Sequence, residues 1–344
     1  MKAAAVAMQL PRLYLGTMTF GWTKQTSSVV DQPVATTMVQ QFLQQEGEHG
    51  CCTHVDTARI YAGGDTEVLL GKVLGQLNAA KVRLGNKAHP SQPGGLSNDG
   101  IQSQLKASLD CFLQGTQIDE YYLHQPDTEH DLLESLTTLH HLIQEGKIKT
   151  IGMSNYHASE VKRAFELCHQ HKLTPPKVYQ GLYNPLNRLV EDELIPLLHE
   201  NQCQFVAYNP LAAGLLTGKH SKQQQQKVLP GRFKDNPNYL PRFYTDVNFE
   251  AISLIQKACD SENMSMVEAT FRWLLLHSAL EADDGVLLGA SSVPQLEENL
   301  KATETAEPLP ESILLAMDQA WDLTKAQAFP YWRSYSRDTP DREA

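Results

Sequence analysis

Leu13-Tyr14-Leu15-Gly16-Thr17-Met18-Thr19-Phe20-Gly21 is the stretch on which the fold turns. It opens as a short β-rich run, and its second half sits where a doubly wound open sheet carries a Gly-x-Gly-x-x-Gly turn after its first strand. The turn here is Gly16-Thr17-Met18-Thr19-Phe20-Gly21, with methionine at the middle glycine position, and it does not match. The open sheet loses its fingerprint.

Outward from that turn, strand-like runs recur at 13–18, 53–56, 82–87, 118–124, 150–154, 177–183, 204–208 and 285–290. Between them helical spacing predicts helices over 33–45, 66–77, 101–113, 131–146, 159–171 and 189–202, with two more after residue 246. Gly47, Gly115 and Gly146 fall just past periodic stretches, where helices stop. Eight strand–helix units in series imply a parallel sheet, and eight is the number that closes into a (β/α)8 TIM barrel. We therefore expect an α/β chain folded as one barrel domain over 1–344, with its core at about 11–335. Two segments stand outside the repeat. Residues 218–245, after the seventh strand, are polar and loop-like, with a glutamine run at 223–226, Pro230-Gly231, Pro237 and Pro241. A loop that long is expected to be functional or mobile. After Pro310 a helix is expected over 311–326, then an aromatic-basic tail, Phe329-Pro330-Tyr331-Trp332-Arg333, docked on the barrel.

The 344 residues include 29 basic and 40 acidic side chains, for a net charge of −11. That balance argues against broad nucleic-acid or anionic-membrane binding, though not against one local phosphate site. A hydrophobic content of 41% and a charged content of 20% are those of a folded globular chain. No apolar run approaches the ~18 residues of a membrane span. Residues 3–8 give six apolar positions behind one lysine, below the roughly 7 of a signal-peptide core, so a cytoplasmic protein is expected. Cys51, Cys52, Cys111, Cys168, Cys203 and Cys259 show no Cys-x-x-Cys spacing and read as reduced thiols, Cys51-Cys52 being neighbours on a strand rather than a redox pair. His140-His141 and His169 with His171 have no ligand constellation around them, so no metal is expected. Asn263-Met264-Ser265 matches a glycosylation sequon, which has no bearing on a cytoplasmic chain.

In a barrel of this type catalytic side chains come from the C-terminal ends of several strands. The second strand ends in Asp56-Thr57-Ala58-Arg59-Ile60-Tyr61, the third at Lys87, and the fourth in Tyr122-Leu123-His124-Gln125-Pro126. Alone, such residues read as a cap, a solvated charge and a satisfied hydrogen-bonder. On adjacent strand ends they face one small area.

Asp56 and Tyr61 five apart, Lys87 closing the next strand and His124 in Tyr-Leu-His-Gln-Pro-Asp resemble the catalytic tetrad of the aldo-keto reductases. Gly152-Met153-Ser154-Asn155-Tyr156, Tyr179-Gln180-Gly181-Leu182-Tyr183-Asn184, Ala207-Tyr208-Asn209-Pro210-Leu211 and Leu288-Gly289-Ala290-Ser291-Ser292 extend the likeness, which spans roughly residues 11–335. Residues 209–219 and Gly231-Arg232-Phe233 make it most similar to the aflatoxin aldehyde reductase (succinic semialdehyde reductase) branch.

Reducing a carbonyl by hydride needs a proton donor for the developing alkoxide. A free tyrosine, with pKa about 10, is a poor acid unless its phenolate is stabilised. Tyr61 is thus expected to donate the proton, Lys87 to bring its phenol down, Asp56 to aim Lys87, and His124 to orient the carbonyl. No side chain supplies hydride, so a cofactor must. The resemblance implies NADPH, with Ser154, Asn155 and Gln180 on the nicotinamide carboxamide and Tyr208 stacked beneath the ring. It also implies Met18, Asn209, Leu211, Gly214, Arg232, Gly289 and Glu298 along the cofactor, and Lys219 as counter-charge to the pyrophosphate. Ser291, Gln295 and Asn299 share one helix face, and a serine cap there leaves backbone N–H groups for a 2′-phosphate. Many family members place Lys and Arg where this chain has Gly289 and Gln295, which opens the door to NADH. A P-loop reading fails, because Gly214-x-x-x-Gly218-Lys219-His220 is one residue short and lacks the Ser/Thr. Met18, Trp22 and Tyr61, with His124, are expected to wall the carbonyl pocket. Arg232 and Arg333 resemble the arginines that grip a substrate carboxylate.

The function expected is NADPH-dependent reduction of aldehydes and some ketones or dicarbonyls, on a small-molecule carbonyl substrate. The resemblance also suggests a homodimer. One rival is a cofactor-binding regulatory subunit like those of potassium channels, with slow or no turnover. Another is a Schiff-base enzyme using Lys87, which leaves Tyr61 and Ser154-Asn155 unexplained.

Overall fold

Strand β1 (Arg12–Gly16) pairs in parallel with β2 (His54–Asp56) on one side and with β8 (Gly285–Gly289) on the other. That double pairing joins the first strand to the last. Between them run β3 (Arg83–Ala88), β4 (Ile118–Leu123), β5 (Ile148–Ser154), β6 (Val178–Leu182) and β7 (Gln204–Tyr208), each parallel to its neighbours, in one closed barrel. The computed structural model describes residues 9–22, 26, 28–47, 50–77, 81–221, 228, 232–234, 236–237, 239–304 and 307–340. Residues 3–8, the glutamine run at 223–226 and Pro230-Gly231 lie outside them, as does the side chain of Cys51.

The helices are α1 (Gln32–Leu43), α2 (Asp65–Leu77), α3 (Asn98–Leu109), α4 (Leu132–Gln144), α5 (Ala158–His171), α6 (Leu194–Glu200), α7 (Leu240–Phe243), α8 (Asp246–Ser261), α9 (Met266–Leu276), α10 (Val293–Thr303) and α11 (Glu311–Thr324). Their starts are chemical. Asp31, Ser97, Thr245, Ser265 and Ser292 each accept a hydrogen bond from a backbone N–H of the first turn. Three expectations shift. The helix expected to 113 stops at Leu109. The one expected from 189 begins at Leu194, after a turn over 188–193, and runs only 7 residues. Gly47 lies in a small antiparallel hairpin, Glu46–Gly47 with Gly50–Cys51, rather than capping a helix. The segment 218–245 also holds the short α7.

Alternation along each strand sorts the side chains. Leu13, Leu15, Tyr121, Leu123, Val286 and Leu288 point outward into the main core against the helices. Tyr14, Tyr122, Val178 and Val206, with Leu287, fill the barrel interior as a separate cluster. Glycine makes room for the tyrosines. A Cβ on Gly152 would lie 2.3 Å from Tyr122, and one on Gly285 2.5 Å from Tyr14.

The tail docks on the barrel, as expected. The Arg333 N–H donates to the Asn155 carbonyl (3.1 Å), and the Ala158 N–H donates to the Tyr331 hydroxyl (3.1 Å). Further on, the Ser336 N–H (2.8 Å) and Thr339 hydroxyl (2.6 Å) converge on Glu160 Oε1. Cys111, Cys168, Cys203 and Cys259 carry free thiols, and burial pushes those of Cys168 and Cys259 up to about 12. Among the described residues no helix is long and apolar enough to cross a membrane, and no group of three or more His, Cys, Asp or Glu is disposed to hold a metal.

Candidate active site

Asp56 is the last residue of β2, its carbonyl held by the backbone N–H (3.0 Å) and hydroxyl (2.9 Å) of Thr17. Lys87, on the inner face of β3, is wholly buried. Its ammonium donates to both Asp56 carboxylate oxygens at 2.6 Å and to the Thr57 carbonyl at 2.9 Å. All three donors are used, so the cation is fixed in place. Burial pulls the Lys87 pKa down, and Asp56 first, then Glu120, push it back up. Gln180 of β6 donates to Asp56 Oδ1 (2.9 Å), a contact in addition to the cofactor role expected for it.

Tyr61 opens a tight turn, Tyr61–Gly64, in which Ala62, Gly63 and Gly64 are all left-handed (φ 48°, 66° and 104°). Buried Glu67 of α2 anchors it, paired with Arg59 and accepting from the Asn86 amide at 2.7 Å. The Tyr61 ring lies 5.9 Å from the His124 ring, edge-on, and the Lys87 ammonium 5.6 Å from the Tyr61 ring centre. Among the described residues no group hydrogen-bonds the Tyr61 hydroxyl. Burial and then the Asp56 carboxylate push its phenol well above the ordinary value, with the Arg232 guanidinium pulling the other way. The Lys87 ammonium that is expected to bring this phenol down is itself paired with Asp56. The tyrosine is held as a neutral acid.

His124 follows β4, and burial, with Lys87, His89 and Arg333 nearby, keeps its imidazole neutral, well below the usual range. Its buried Nδ1 has no partner among the described residues. His89, which sequence reasoning missed, packs edge-on against it with ring centres 5.0 Å apart. The Ser91 N–H donates to His89 Nδ1 (3.0 Å), so the neutral ring carries its proton on Nε2.

These groups open on one cavity of about 650 Å³ at the C-terminal ends of the strands. Asp56, Tyr61, His124, Met18, Trp22, Ser154, Asn155, Gln180, Tyr208, Asn209, Leu211, Gly214, Lys219, Arg232, Gly289, Ser291, Gln295, Glu298, Asn299 and Arg333 all line it. Lys87 alone of the expected residues does not; it sits behind Asp56. Asn155, Asn209 and Ala213 line it in left-handed conformations (φ 62°, 52° and 57°), strain of the kind that gathers at functional sites. The Tyr208 hydroxyl donates to Asn155 Oδ1 (2.8 Å), and the Asn155 amide donates to the His124 carbonyl (2.8 Å) and to Ser154 Oγ (2.9 Å).

The far end of the cavity runs to the N-terminus of α10, capped by Ser292 rather than Ser291. Side chains already engage two N–H groups there. Gln295 Oε1 accepts from Ser291 N–H (2.9 Å), and Ser292 Oγ from Gln295 N–H (3.4 Å). Asn299 donates to the Gly289 carbonyl (3.1 Å), and a Cβ at Gly289 would meet open space. A cavity that reaches a helix N-terminus suits a phosphate-bearing cofactor.

Arg242, on α7, joins Arg232 and Arg333 in the lining and was also missed. Its guanidinium lies 5.5 Å from the Phe329 ring, and that of Arg232 lies 5.2 Å from Tyr239. None of the three has a carboxylate partner among the described residues. Tyr239-Leu240-Pro241-Arg242-Phe243, which sets one basic residue between aromatics within a supposed loop, was the signal available.

A family model described as the aldo/keto reductase family matches residues 12–322. Aflatoxin B1 aldehyde reductase member 2 of Mus musculus is 38% identical over 345 residues, covering 96% of this chain and 90% of that protein. Aldo-keto reductase family 7 member A3 of Homo sapiens is 37% identical over 335 residues (94% and 97%), and Oxidoreductase sirO of Leptosphaeria maculans 34% over 325 residues (93% and 97%). With barrel, cavity and likeness running over the same residues, the chain belongs to the aldo/keto reductase family.

Proposed function

We propose that the chain reduces aldehydes, and some ketones and dicarbonyls, to alcohols with NADPH, Tyr61 giving the proton. The observation that carries this is the buried Lys87–Asp56 pair beside a neutral tyrosine and a neutral histidine in one cavity. A substrate carbonyl oxygen between Tyr61 and His124 is polarised by donors already oriented, and it gains a proton as negative charge develops. An alkoxide is a stronger base than a phenolate, so the Tyr61 proton passes to the oxygen as negative charge develops on it. The Lys87 ammonium then stabilises the phenolate left behind.

Ser154, Asn155, Gln180 and Tyr208 would hold a nicotinamide ring, Lys219 and Arg232 its pyrophosphate, and Ser291, Gln295 and Asn299 a 2′-phosphate. When bound, NADPH supplies the hydride. Arg242 and Arg333 beside Tyr208 and Arg232 beside Tyr61 supply positive charge with no carboxylate partner among the described residues, which favours an aldehyde bearing a carboxylate, such as succinic semialdehyde. Cytoplasmic location, a single domain and a homodimer belong to the same proposal, and light scattering tests the last.

The experiment is loss of NADPH absorbance with 4-nitrobenzaldehyde, succinic semialdehyde and phenanthrenequinone, with Tyr61→Phe alongside. Turnover on the order of 0.1–10 s⁻¹, abolished in the variant, is the expected result. Normal turnover in Tyr61→Phe overturns it. Tight NADPH binding without turnover favours a regulatory subunit instead.

A further inference from the structure

The barrel interior holds a second buried carboxylate that the mechanism above does not use. Asp56 of β2, Gly85 of β3 and Glu120 of β4 are in register, Asp56 opposite Gly85 and Gly85 opposite Glu120. With no side chain between, the two carboxylates face each other. The point where a Gly85 Cβ would sit is 3.3 Å from Asp56 Oδ1 and 3.7 Å from Glu120 Oε2. Two phenols hold Glu120. Tyr14 of β1 donates to Oε1 (3.0 Å) and Tyr122 of β4 to Oε2 (2.6 Å). The Lys87 ammonium lies 5.4 Å from the Tyr122 ring centre, so the tyrosine touching Glu120 also flanks the lysine. TIM-barrel interiors are ordinarily filled by branched apolar side chains. A carboxylate at this depth persists only with dedicated donors or a counter-charge.

We propose that Glu120 is a positioning residue of the Tyr61 site, sharing the Lys87 charge with Asp56 and, through the proton on its own carboxyl, setting the net charge beneath the tetrad. Ionised, it leaves two carboxylates against one ammonium; protonated, it leaves Asp56–Lys87 balanced. The groups facing it are Tyr14 from β1, Asp56 from β2 with the His54 ring 4.5 Å from that of Tyr14, Lys87 from β3 and Tyr122 from β4, while Asp119 acts from the opposite face of β4. Burial raises the Glu120 carboxyl from its ordinary value, Asp56 and Asp119 adding to that and the two phenols opposing it. An ionised Glu120 raises the lysine and holds the Tyr61 phenol protonated to higher pH.

The inference rests on the reading of Tyr61 as proton donor, and the test keeps the two apart. Infrared spectra of the whole protein across pH follow the carbonyl stretch of a protonated carboxylic acid, whether or not the protein turns over. Steady-state reduction across pH follows Tyr61. In Glu120→Gln the band is lost, and the alkaline limb of kcat moves down by about one pH unit with KM little changed. Normalised profiles that superimpose, or a loss equal at every pH, overturn the proposal. Should Glu120→Gln fail to fold, Tyr122→Phe decides. Removing that donor must carry the acid band about one unit higher in pH, and an unmoved band overturns the proposal. A wild type that reduces no carbonyl sinks the Tyr61 reading, and the role assigned to Glu120 with it.

Discussion

The Lys87 ammonium lies out of solvent against both oxygens of Asp56, so removing either partner strands the other. Breaking a buried pair from one side costs about 3–5 kcal/mol. Asp56→Asn should lose about that much in urea unfolding and stop carbonyl turnover. The double variant Asp56→Asn/Lys87→Met should recover most of the stability and none of the turnover. A single variant as stable as wild type would mean that the pair is not isolated from water. Arg242 and Arg333 make a different kind of claim, about one end of the substrate. Losing a hydrogen bond to a charged group is worth about 1.5–3 kcal/mol, so Arg242→Leu or Arg333→Leu should lower kcat/KM for succinic semialdehyde roughly 10–100-fold. Uncharged 4-nitrobenzaldehyde should suffer far less. Equal losses on both substrates would remove the carboxylate from the argument.

At the scale of elements, the Tyr61 turn is held from α2. Glu67 is fully buried, paired with Arg59 and bonded to Asn86, and the three left-handed residues after Tyr61 leave the turn little support of its own. Misplacing a reacting group by about 1 Å can cost 100-fold. Glu67→Gln keeps the volume but drops the charge facing Arg59, and kcat should fall on the order of 10–100-fold with KM nearly kept. A KM effect alone would point to the cavity wall instead. None of this could be read beforehand. Asp56, Tyr61, Lys87 and His124 were legible because strand ends in series put them on one face, and the strand runs came within a few residues of their observed bounds. Glu67 carries no signal in the sequence, and its burial follows only from how α2 packs beneath the turn. Arg242 was hidden because a four-residue helix gives no periodicity, and α6 began late because Leu189 and Val190 continue the apolar spacing while the chain is still turning.

Across the whole molecule, closing the barrel creates an interior that no single strand announces. Tyr14, His54, Glu120 and Tyr122 read as ordinary strand residues, and only the pairing of β1 with β8 turns their shared face into an enclosed polar space. That space makes stability depend on pH in two opposing ways. Burial, with Arg83 and Arg12 nearby, lowers the His54 imidazole from 6.5 to about 4, and burial lowers His89 to about 4 as well. The unfolded chain then binds more protons than the native one between those values, so these histidines cost stability as pH falls from 6.5 toward 4. For His54 the full effect is on the order of 3 kcal/mol. Glu120 has the reverse sign. Its folded pKa lies above its unfolded one, so its contribution is present in acid and is lost as pH rises from 4.5 through the raised value. The two dependences oppose each other in the wild-type melting temperature, the histidines lowering it as pH falls from 6.5 toward 4 and Glu120 lowering it as pH rises above 4.5. His54→Asn should lessen the loss toward acid and Glu120→Gln the loss as pH rises above 4.5, each leaving the other dependence in place. If both variants gave curves parallel to wild type, the interior groups would not be titrating with folding, and the acid sensitivity would have to come from the outer ion pairs.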